Sequence, residues 1–557
     1  MKKKIVLLFS LLVLISCGTA DKIDKSYLSA LILKAENERN PKLLEKAYLK
    51  AGKDLELIKK IAVASGRIPC FSVFESIAQN YGDNREVSSV LATASMFKGF
   101  NMGKNKLFNL LFKTSFTGET AKALLNLDTP LALNVVLNRD KMSNYKYSKT
   151  IAFNLWRAKN SVKDEDLLFY YKKHPTFAVY SLYRLKKRGI AKAEDLKNGD
   201  LTAKFYGMFV VDNPEMLIEE NRWQLQVGLI KAKNNLKTAK MYLNSKNPLV
   251  RRTAIEYFLK NGGSLKEIKV ETLTEAEFEY AVNYIKSEKT IYSFFKKGGF
   301  FAKIAAPYLK KDKEAEVMSS QIDSMSKALF LERNYSLEKA VSFAEKMLFE
   351  KKDIYALVYL LTKINEGKIK GENIKSFVAK NQKVFYSFLE DFGFASKKLP
   401  NLPLSYYYGA IQKVSELKGF VIKTEKGEIK CRFLPDKAPL TCLNFTSLVE
   451  KKYFNGIYFH RVVPAFVAQD GDRSGTGSGG PGYSIRCEYN SVKYSEEGIV
   501  GMALAGKDTG GSQYFITHIA TPHLDYNYTV FAKVVHGLNT LALIDKYTKI
   551  EEIVLYE

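Results

Sequence analysis

The stretch Phe459-His460-Arg461-Val462-Val463-Pro464-Ala465-Phe466-Val467-Ala468-Gln469 decides how the C-terminal part of this chain folds. It brings Arg461, Phe466 and Gln469 near one another, which combines a cationic fork, an aromatic face and an amide group. The later stretch Gly511-Ser512-Gln513-Tyr514-Phe515 adds a second amide and a second aromatic face. Side chains of these types, held on strands, can enclose a small ring and hydrogen-bond an amide.

The residues around these two stretches predict a small antiparallel β domain. Residues 419–424 and 428–433 flank Lys426-Gly427 as a hairpin, and a helix is expected from Ala438 to about Tyr453. More short strands follow, with a second helix expected near 538–547. Short strands with two helices predict an antiparallel barrel that is capped at its ends.

Residues 417–557, with the two quoted stretches, resemble the cyclophilins, which are peptidyl-prolyl cis/trans isomerases. The resemblance implies a closed antiparallel β-barrel with two capping helices. It implies that Arg461 is the catalytic donor and that Gln469 orients it and meets the substrate backbone. It further implies a set of substrate-binding residues, which are Phe466, Val467, Ala503, Leu504, Gln513, Phe515, His523, Leu524 and Tyr528.

The reaction that the resemblance implies needs no cofactor and no metal. A prolyl bond isomerises through a twisted amide, against a barrier of ~18–20 kcal/mol. An enzyme must favour that twisted state, chiefly by a hydrogen bond to the proline nitrogen and a dry pocket for the ring. Arginine suits the donor role because its guanidinium stays charged and presents a rigid fork of donors. The expected partners are therefore proline-containing segments of client proteins.

The sequence departs from the cyclophilin pattern at four places. Leu504 replaces a common asparagine, at a contact that the family makes largely through the main chain. His523 stands where sensitive members carry the tryptophan that grips cyclosporin, so weak binding of that drug is expected. Tyr528 replaces a pocket histidine, and Asp470 replaces a glycine and is expected to shift a turn slightly.

Each candidate residue also has an ordinary structural interpretation. An arginine beside a strand is often paired with a carboxylate, an apolar residue is usually core, and a glutamine is usually on the surface. His460 is interpreted as structural, since the reaction needs no base. A competing class is a scaffold protein in which the fold docks a proline-containing partner without turnover.

Two glycine-rich segments imitate nucleotide-binding motifs. Residues 475–480 satisfy G-x-G-x-x-G, but Pro481-Gly482 follows, so no helix is expected to receive a pyrophosphate. Residues 501–507 satisfy G-x-x-x-x-G-K, but Asp508 stands where a serine or threonine is needed. No nucleotide is expected as a ligand.

Length and charge predict a chain of at least two domains with different surfaces. A chain of 557 residues exceeds what one core supports, and 46% hydrophobic content excludes wholesale disorder. The net charge of +27 is uneven, because residues 401–557 carry 17 Lys/Arg and 16 Asp/Glu, which leaves 69 and 43 for residues 1–400. Residues 1–400 therefore carry the excess positive charge, which has two interpretations. It could attract an anionic envelope component, or the lysines could simply be spread over solvated helix faces.

Residues 1–17 are expected to be a bacterial lipoprotein signal peptide. Met1-Lys2-Lys3-Lys4 is a basic start, Ile5 to Ile15 is a short apolar run, and Leu14-Ile15-Ser16-Cys17 resembles a lipobox. Acyl chains on Cys17 would anchor the mature protein to a membrane. The expected location is the cell envelope, and Gly18 favours the outer membrane in a Gram-negative cell.

The remaining cysteines predict no metal site. Cys70, Cys431, Cys442 and Cys487 form no CxxC or Cys/His pattern. A Cys431–Cys442 disulfide is one possibility in an oxidising compartment, and buried thiols are the preferred interpretation.

Residues 21–399 predict an α-helical repeat region, followed by a linker at 400–416. Helices are expected to open at a recurring polar or polar-proline theme, and consecutive openings lie 34 to 46 residues apart. The segment Pro248 to Gly262 aligns with Pro175 to Gly189 and resembles a HEAT repeat. The alternatives are a degenerate HEAT-like solenoid and an irregular helical domain.

Overall fold

The computed structural model describes residues 24–68, 70–381, 384–385, 402–416 and 418–556. The expected signal peptide and its Cys17 lie outside the described residues. Residues 69, 382–383, 386–401, 417 and 557 also lie outside them.

Between residues 24 and 381 the described chain consists of helices joined by turns, which we call the helical arm. Its α-helices are α1 Lys25–Glu38, α2 Pro41–Ala51, α3 Leu55–Arg67, α4 Phe71–Tyr81, α5 Arg85–Ser95, α6 Lys104–Phe112, α7 Gly118–Asn126, α8 Pro130–Met142, α9 Ser148–Asn154, α10 Asp164–Lys173, α11 Pro175–Arg184, α12 Ala193–Leu196, α13 Leu201–Gly207, α14 Trp223–Lys233, α15 Leu236–Met241, α16 Pro248–Lys260, α17 Glu275–Ala281, α18 Glu288–Lys296, α19 Gly299–Ala305, α20 Glu314–Ser319, α21 Ser324–Asn334, α22 Leu337–Lys351, α23 Ile354–Asn365 and α24 Glu372–Lys380. Short 3-10 helices join them at Leu155–Ala158, Pro214–Leu217, Leu265–Glu267, Val270–Thr272, Val282–Tyr284, Ala306–Tyr308 and Lys311–Lys313.

The recurring helix-start theme acts through capping. Asn40, Asn84 and Asn247 each accept a backbone N–H of the following first turn through the side-chain oxygen. Proline follows two of them at the first helical position, where a missing N–H costs nothing. The same theme at Asn213-Pro214 opens a single 3-10 turn instead of an α-helix.

Neighbouring helices of the arm pack together into one apolar core that continues from α1 to α24. Because each helix contacts mainly the next ones along the chain, the packing is local in sequence, as in a repeat array. The prediction that this region is all-helical is confirmed, whereas its assignment to HEAT-like repeats stays a prediction.

Residues 418–556 form an antiparallel sheet that we call the sheet domain. Its strands are β1 Gly419–Thr424, β2 Gly427–Phe433, β3 Arg461–Val463, β4 Val467–Asp470, β5 Ile499–Met502, β6 Tyr514–Thr517, β7 Val530–His536 and β8 Ile550–Tyr556, in the spatial order β3-β4-β6-β5-β7-β2-β1-β8. Two helices pack with it, α26 Pro439–Glu450 and α27 Leu538–Leu541, together with a 3-10 turn at Pro522–Leu524. The second helix is much shorter than the predicted 538–547.

The sheet curls, so that its two end strands approach each other. β3 and β8 are not paired as strands, but backbone hydrogen bonds link residues 456–459 to residues 547–550, and Tyr458 and Lys549 form an isolated bridge. The confirmed architecture is a curled antiparallel sheet, and full closure into a barrel stays a prediction.

The expected linker at 400–416 contains a helix, α25 Leu404–Glu416. Tyr407 of this helix is fully buried and accepts a hydrogen bond from Asn37 Nδ2 at 2.8 Å. The helix contacts both α1 and α26, so it fills the junction between the arm and the sheet domain.

The arm contacts the sheet domain along most of its length. Arg67 Nε donates to the Tyr489 carbonyl at 2.8 Å near one end, and Tyr355 Oη donates to the Ser474 carbonyl at 2.7 Å near the other. Between them, Tyr206 Oη donates to the Ala520 carbonyl at 2.7 Å. The helical arm therefore wraps around the sheet domain.

No described helix is long and apolar enough to cross a membrane. In the same residues no three His, Cys, Asp or Glu side chains are grouped as metal ligands. Cys70, Cys431, Cys442 and Cys487 are free and buried, which confirms the preferred interpretation of buried thiols over a disulfide.

Candidate active site

The side chains of Arg461, Gln469 and Gln513 form a hydrogen-bonded row that crosses β3, β4 and the residue before β6. Arg461 on β3 lies opposite Gln469 on β4, and its Nη1 donates to Gln469 Oε1 at 3.2 Å. Gln469 Nε2 donates in turn to Gln513 Oε1 at 3.0 Å. Gln513 Nε2 donates to the carbonyls of Gly477 and Gly479, both at 2.8 Å. The row fixes the orientation of the arginine.

The guanidinium of Arg461 faces solvent and has no carboxylate partner among the described residues. An arginine that served only as half of an ion pair would have one. Its positive charge is therefore free to act on a bound group, while Gln469 restricts its rotation.

An apolar cluster occupies the same face of the sheet domain. It contains the predicted pocket residues Phe466, Val467, Ala503, Phe515, Leu524 and Tyr528, together with Leu434, Val492, Tyr494, Ile499 and Val530. Val467, Phe515 and Leu524 are 2%, 5% and 8% exposed, whereas Phe466, Ala503 and Tyr528 are half-buried. The cluster thus has a closed floor and a partly open rim, which is the arrangement a ring-binding pocket needs.

The rings of the floor are ordered by contacts with one another. Phe515 stacks on Tyr494 with centroids 5.6 Å apart and meets Tyr528 edge-on at 5.5 Å. Gly501 on β5 makes this possible, because a Cβ there would lie 2.2 Å from Tyr494 Oη and 2.5 Å from Phe515 Cζ. Any larger residue at this position would push the two aromatic side chains out of place.

Ala503 and Leu504 follow β5, and the Ala503 side chain joins the apolar cluster, whereas the Leu504 side chain packs against the other apolar cores. Ala503 N donates to the Gln513 carbonyl at 2.9 Å, and both side chains are half-buried. The predicted peptide-aligning stretch therefore lies directly beside the predicted glutamine.

His523 closes one wall of the site. Its ring stacks on Phe466 with centroids 5.6 Å apart and an interplanar angle of 14°. Burial, aided by the nearby charge of Arg184, lowers the pKa of His523 to about 4. The ring is therefore neutral at physiological pH and acts as a flat apolar wall.

Three further buried groups lie close to the site. Burial lowers the pKa of His460, in keeping with its structural interpretation. Burial also raises the pKa of the Asp470 carboxyl on β4 well above its ordinary value. His518, the residue after β6, packs against the Trp223 ring of the arm with centroids 5.2 Å apart, and burial lowers its pKa to about 3.

The family model described as "Cyclophilin type peptidyl-prolyl cis-trans isomerase/CLD" matches residues 420–555. Peptidyl-prolyl cis-trans isomerase B of Bacillus subtilis is 46% identical over 121 residues, which cover 22% of this chain and 85% of that protein. The chain belongs to the cyclophilin family. A Helicobacter pylori peptidyl-prolyl cis-trans isomerase is 40% identical over 156 residues, which cover 27% of this chain and 95% of that cyclophilin. A solved cyclophilin of Cryptosporidium parvum covers 25% of this chain and 98% of its own, with 32% identity and a TM-score of 0.25.

The cyclophilin match confirms the sequence interpretation of the C-terminal part. This domain is a cyclophilin-type peptidyl-prolyl cis/trans isomerase. The row of Arg461, Gln469 and Gln513 lies on the same face as most of the predicted pocket residues, which are Phe466, Val467, Ala503, Phe515, Leu524, Tyr528 and the stacked His523. Leu504 packs against the other apolar cores instead. The individual roles of those residues stay predictions.

Sequence reasoning missed several residues that shape the cyclophilin site. Tyr494 stands in a stretch without any motif, and its stacking on Phe515 could not be read from spacing. Tyr180 of the arm lies with its Oη 3.3 Å from His523 Nδ1, across 343 residues of chain. No signal in the sequence connects two positions so far apart.

Proposed function

We propose that this chain is an envelope lipoprotein that isomerises X-Pro bonds of client proteins outside the cytoplasm and assists their folding. Arg461 stabilises the twisted amide in this proposal. The observation that carries it is the Arg461 guanidinium, which has no carboxylate partner among the described residues and is held by Gln469 on the same face as the apolar cluster around Phe515.

The physical basis is differential binding. As the amide twists, the lone pair localises on the proline nitrogen and becomes a hydrogen-bond acceptor that the planar amide lacks. A guanidinium beside the ring pocket binds that acceptor in the transition state only, so the interaction lowers the barrier. Phe466, Val467, Phe515 and Leu524 hold the ring, while Gln469 and Gln513 align the peptide.

The first test measures catalysis by the full chain. Uncatalysed prolyl isomerisation takes tens to hundreds of seconds, so it limits the refolding of many unfolded proteins. Substoichiometric amounts of the full chain are expected to shorten that slow refolding phase and to speed cis/trans exchange in a short X-Pro peptide. An unchanged slow phase, with the peptide still bound, would contradict turnover and support the docking role instead.

The second test concerns the location. The lipobox-like sequence that ends at Cys17 supports lipidation of this cysteine, and several acyl chains on it would anchor the protein more firmly than one. The native chain is expected in the membrane fraction with a mass increase at Cys17, and the Cys17→Ser variant in the soluble fraction. Equal distribution of both proteins would exclude lipid anchoring at this residue.

A weaker contact with an anionic envelope component is also proposed for the arm, on the basis of the positive charge of residues 1–400. Such a contact should weaken as salt is added, since exposed charges are screened.

A further inference from the structure

The turn that joins β3 to β4 contains a strained residue. Phe466 N donates to the Val463 carbonyl at 3.0 Å and closes a four-residue turn, in which Ala465 has a φ of 56°. Glycine adopts a positive φ freely, whereas the Cβ of alanine makes it unfavourable. A strained conformation of this kind persists only where the surrounding structure holds it.

The surroundings of this turn belong to the helical arm. Ala465 is 5% exposed and packs in the apolar core of the arm, not in that of the sheet domain. Lys231 Nζ on α14 donates to the Pro464 carbonyl at 2.7 Å. Arg252 Nη2 on α16 donates to the Val462 carbonyl at 2.8 Å. Two cations from different helices thus bind the backbone between Arg461 and Phe466.

Both cations are largely removed from water. Burial lowers the pKa of Lys231 to about 8, which leaves the lysine mostly charged at neutral pH. The Arg252 side chain is 15% exposed, and its Nε lies 3.0 Å from Asp545 Oδ1 of the sheet domain. Hydrogen bonds from charged donors are strong at such sites, so they hold the backbone in one place.

A third contact reaches the opposite wall of the pocket. Tyr180 on α11 is 1% exposed, and its Oη lies 3.3 Å from Nδ1 of His523, whose ring stacks on Phe466. The helical arm therefore contacts both neighbours of Phe466, which are the backbone that precedes it and the His523 ring that stacks on its side chain.

We propose that the helical arm sets the geometry of the isomerase site, with Lys231 and Arg252 as positioning residues for the hairpin that carries Arg461 and Phe466. The inference rests on the proposed function, since it takes this hairpin as the catalytic one. In this arrangement the arm completes the active site. Small displacements of a catalytic donor reduce rates strongly, so the loss of either cation should slow the reaction.

The test compares pairs of neighbouring residues in the full chain. Lys231→Met and Arg252→Met are each expected to lower kcat/KM by about tenfold. Lys233→Met and Arg251→Met are the matched controls, because Lys233 pairs with Glu215 and Arg251 with Glu277 inside the arm. The controls should keep wild-type kcat/KM, with circular dichroism checking that all four variants are folded. Unchanged kcat/KM in both Lys231→Met and Arg252→Met would overturn the inference.

A double-mutant cycle separates positioning from a general loss of structure. In the Arg461→Ala background, Lys231→Met should cause a smaller further loss, because only Phe466 is then left to be positioned and the donor is already gone. Lys231→Arg should restore activity, since arginine also donates to the Pro464 carbonyl. A full tenfold loss in the Arg461→Ala background would contradict the inference. An inactive wild-type chain, or full activity in Arg461→Ala, would instead contradict the proposed function.

Discussion

Arg461→Ala is expected to lower kcat/KM for an X-Pro peptide by about 100- to 1,000-fold, which is the usual effect of removing one transition-state donor. The guanidinium is exposed and lacks a carboxylate partner among the described residues, so its removal leaves no buried charge unpaired. KM should change little, because the proposed hydrogen bond forms only as the amide twists. A coupled peptide assay at varied substrate concentration measures both constants.

Arg432→Ala is the matched control for this prediction. Arg432 lies on β2 of the same sheet and is exposed like Arg461, but its partners across the sheet are Gly419 and Lys533, which are not part of the apolar cluster. This variant should keep wild-type activity. If Arg461→Ala lowered kcat/KM by less than about threefold, the loss would be too small for a transition-state donor. The arginine would then have no part in the mechanism.

Phe445→Ala is expected to lower the free energy of unfolding of the sheet domain by about 3–5 kcal/mol. Phe445 is fully buried on α26, and its ring meets five others. These are Phe420 at 4.5 Å, Phe433 at 6.1 Å, Phe454 at 4.9 Å, Tyr514 at 5.4 Å and Phe531 at 5.3 Å between centroids. Because four of these rings come from β1, β2, β6 and β7, the truncation leaves a cavity between the helix and four strands.

The measurement is the urea concentration at which the full chain loses half of its isomerase activity. The midpoint should fall by at least about 1 M, since the slope for small domains is about 1–3 kcal/mol per molar urea. Leu543→Ala provides the control, because Leu543 is 40% exposed in the same domain. An equal midpoint for Phe445→Ala and Leu543→Ala would show that this ring cluster does not hold the domain together.

Local patterns in the sequence predicted much of the fold. The β1–β2 hairpin, the start of α26 at Pro439 and the Asn-Pro helix openings all depend on neighbouring residues alone. The hairpin turn itself lies at Glu425-Lys426, one residue before the expected Lys426-Gly427, because Gly427 pairs with Thr424. Capping and turn preferences act within a few residues, so they can be predicted from the local sequence without any tertiary information. The helix expected at 538–547 was wrong in its length, since the chain leaves the helix after Leu541. Beyond that point Asp545 and Lys546 bind Arg252 and Glu279 of the arm instead.

By itself the sequence determined that residues 417–557 resemble a cyclophilin and that a helical region precedes them, because strand alternation, helix periodicity and motif order are properties of local stretches. Only the tertiary structure decided that Lys231, Arg252 and Tyr180 reach the site, where they contact Pro464, Val462 and His523. Periodicity shows which face of a helix is buried, but it does not show what that face is buried against. The partner depends on how the whole arm curves, which is the sum of many small packing angles.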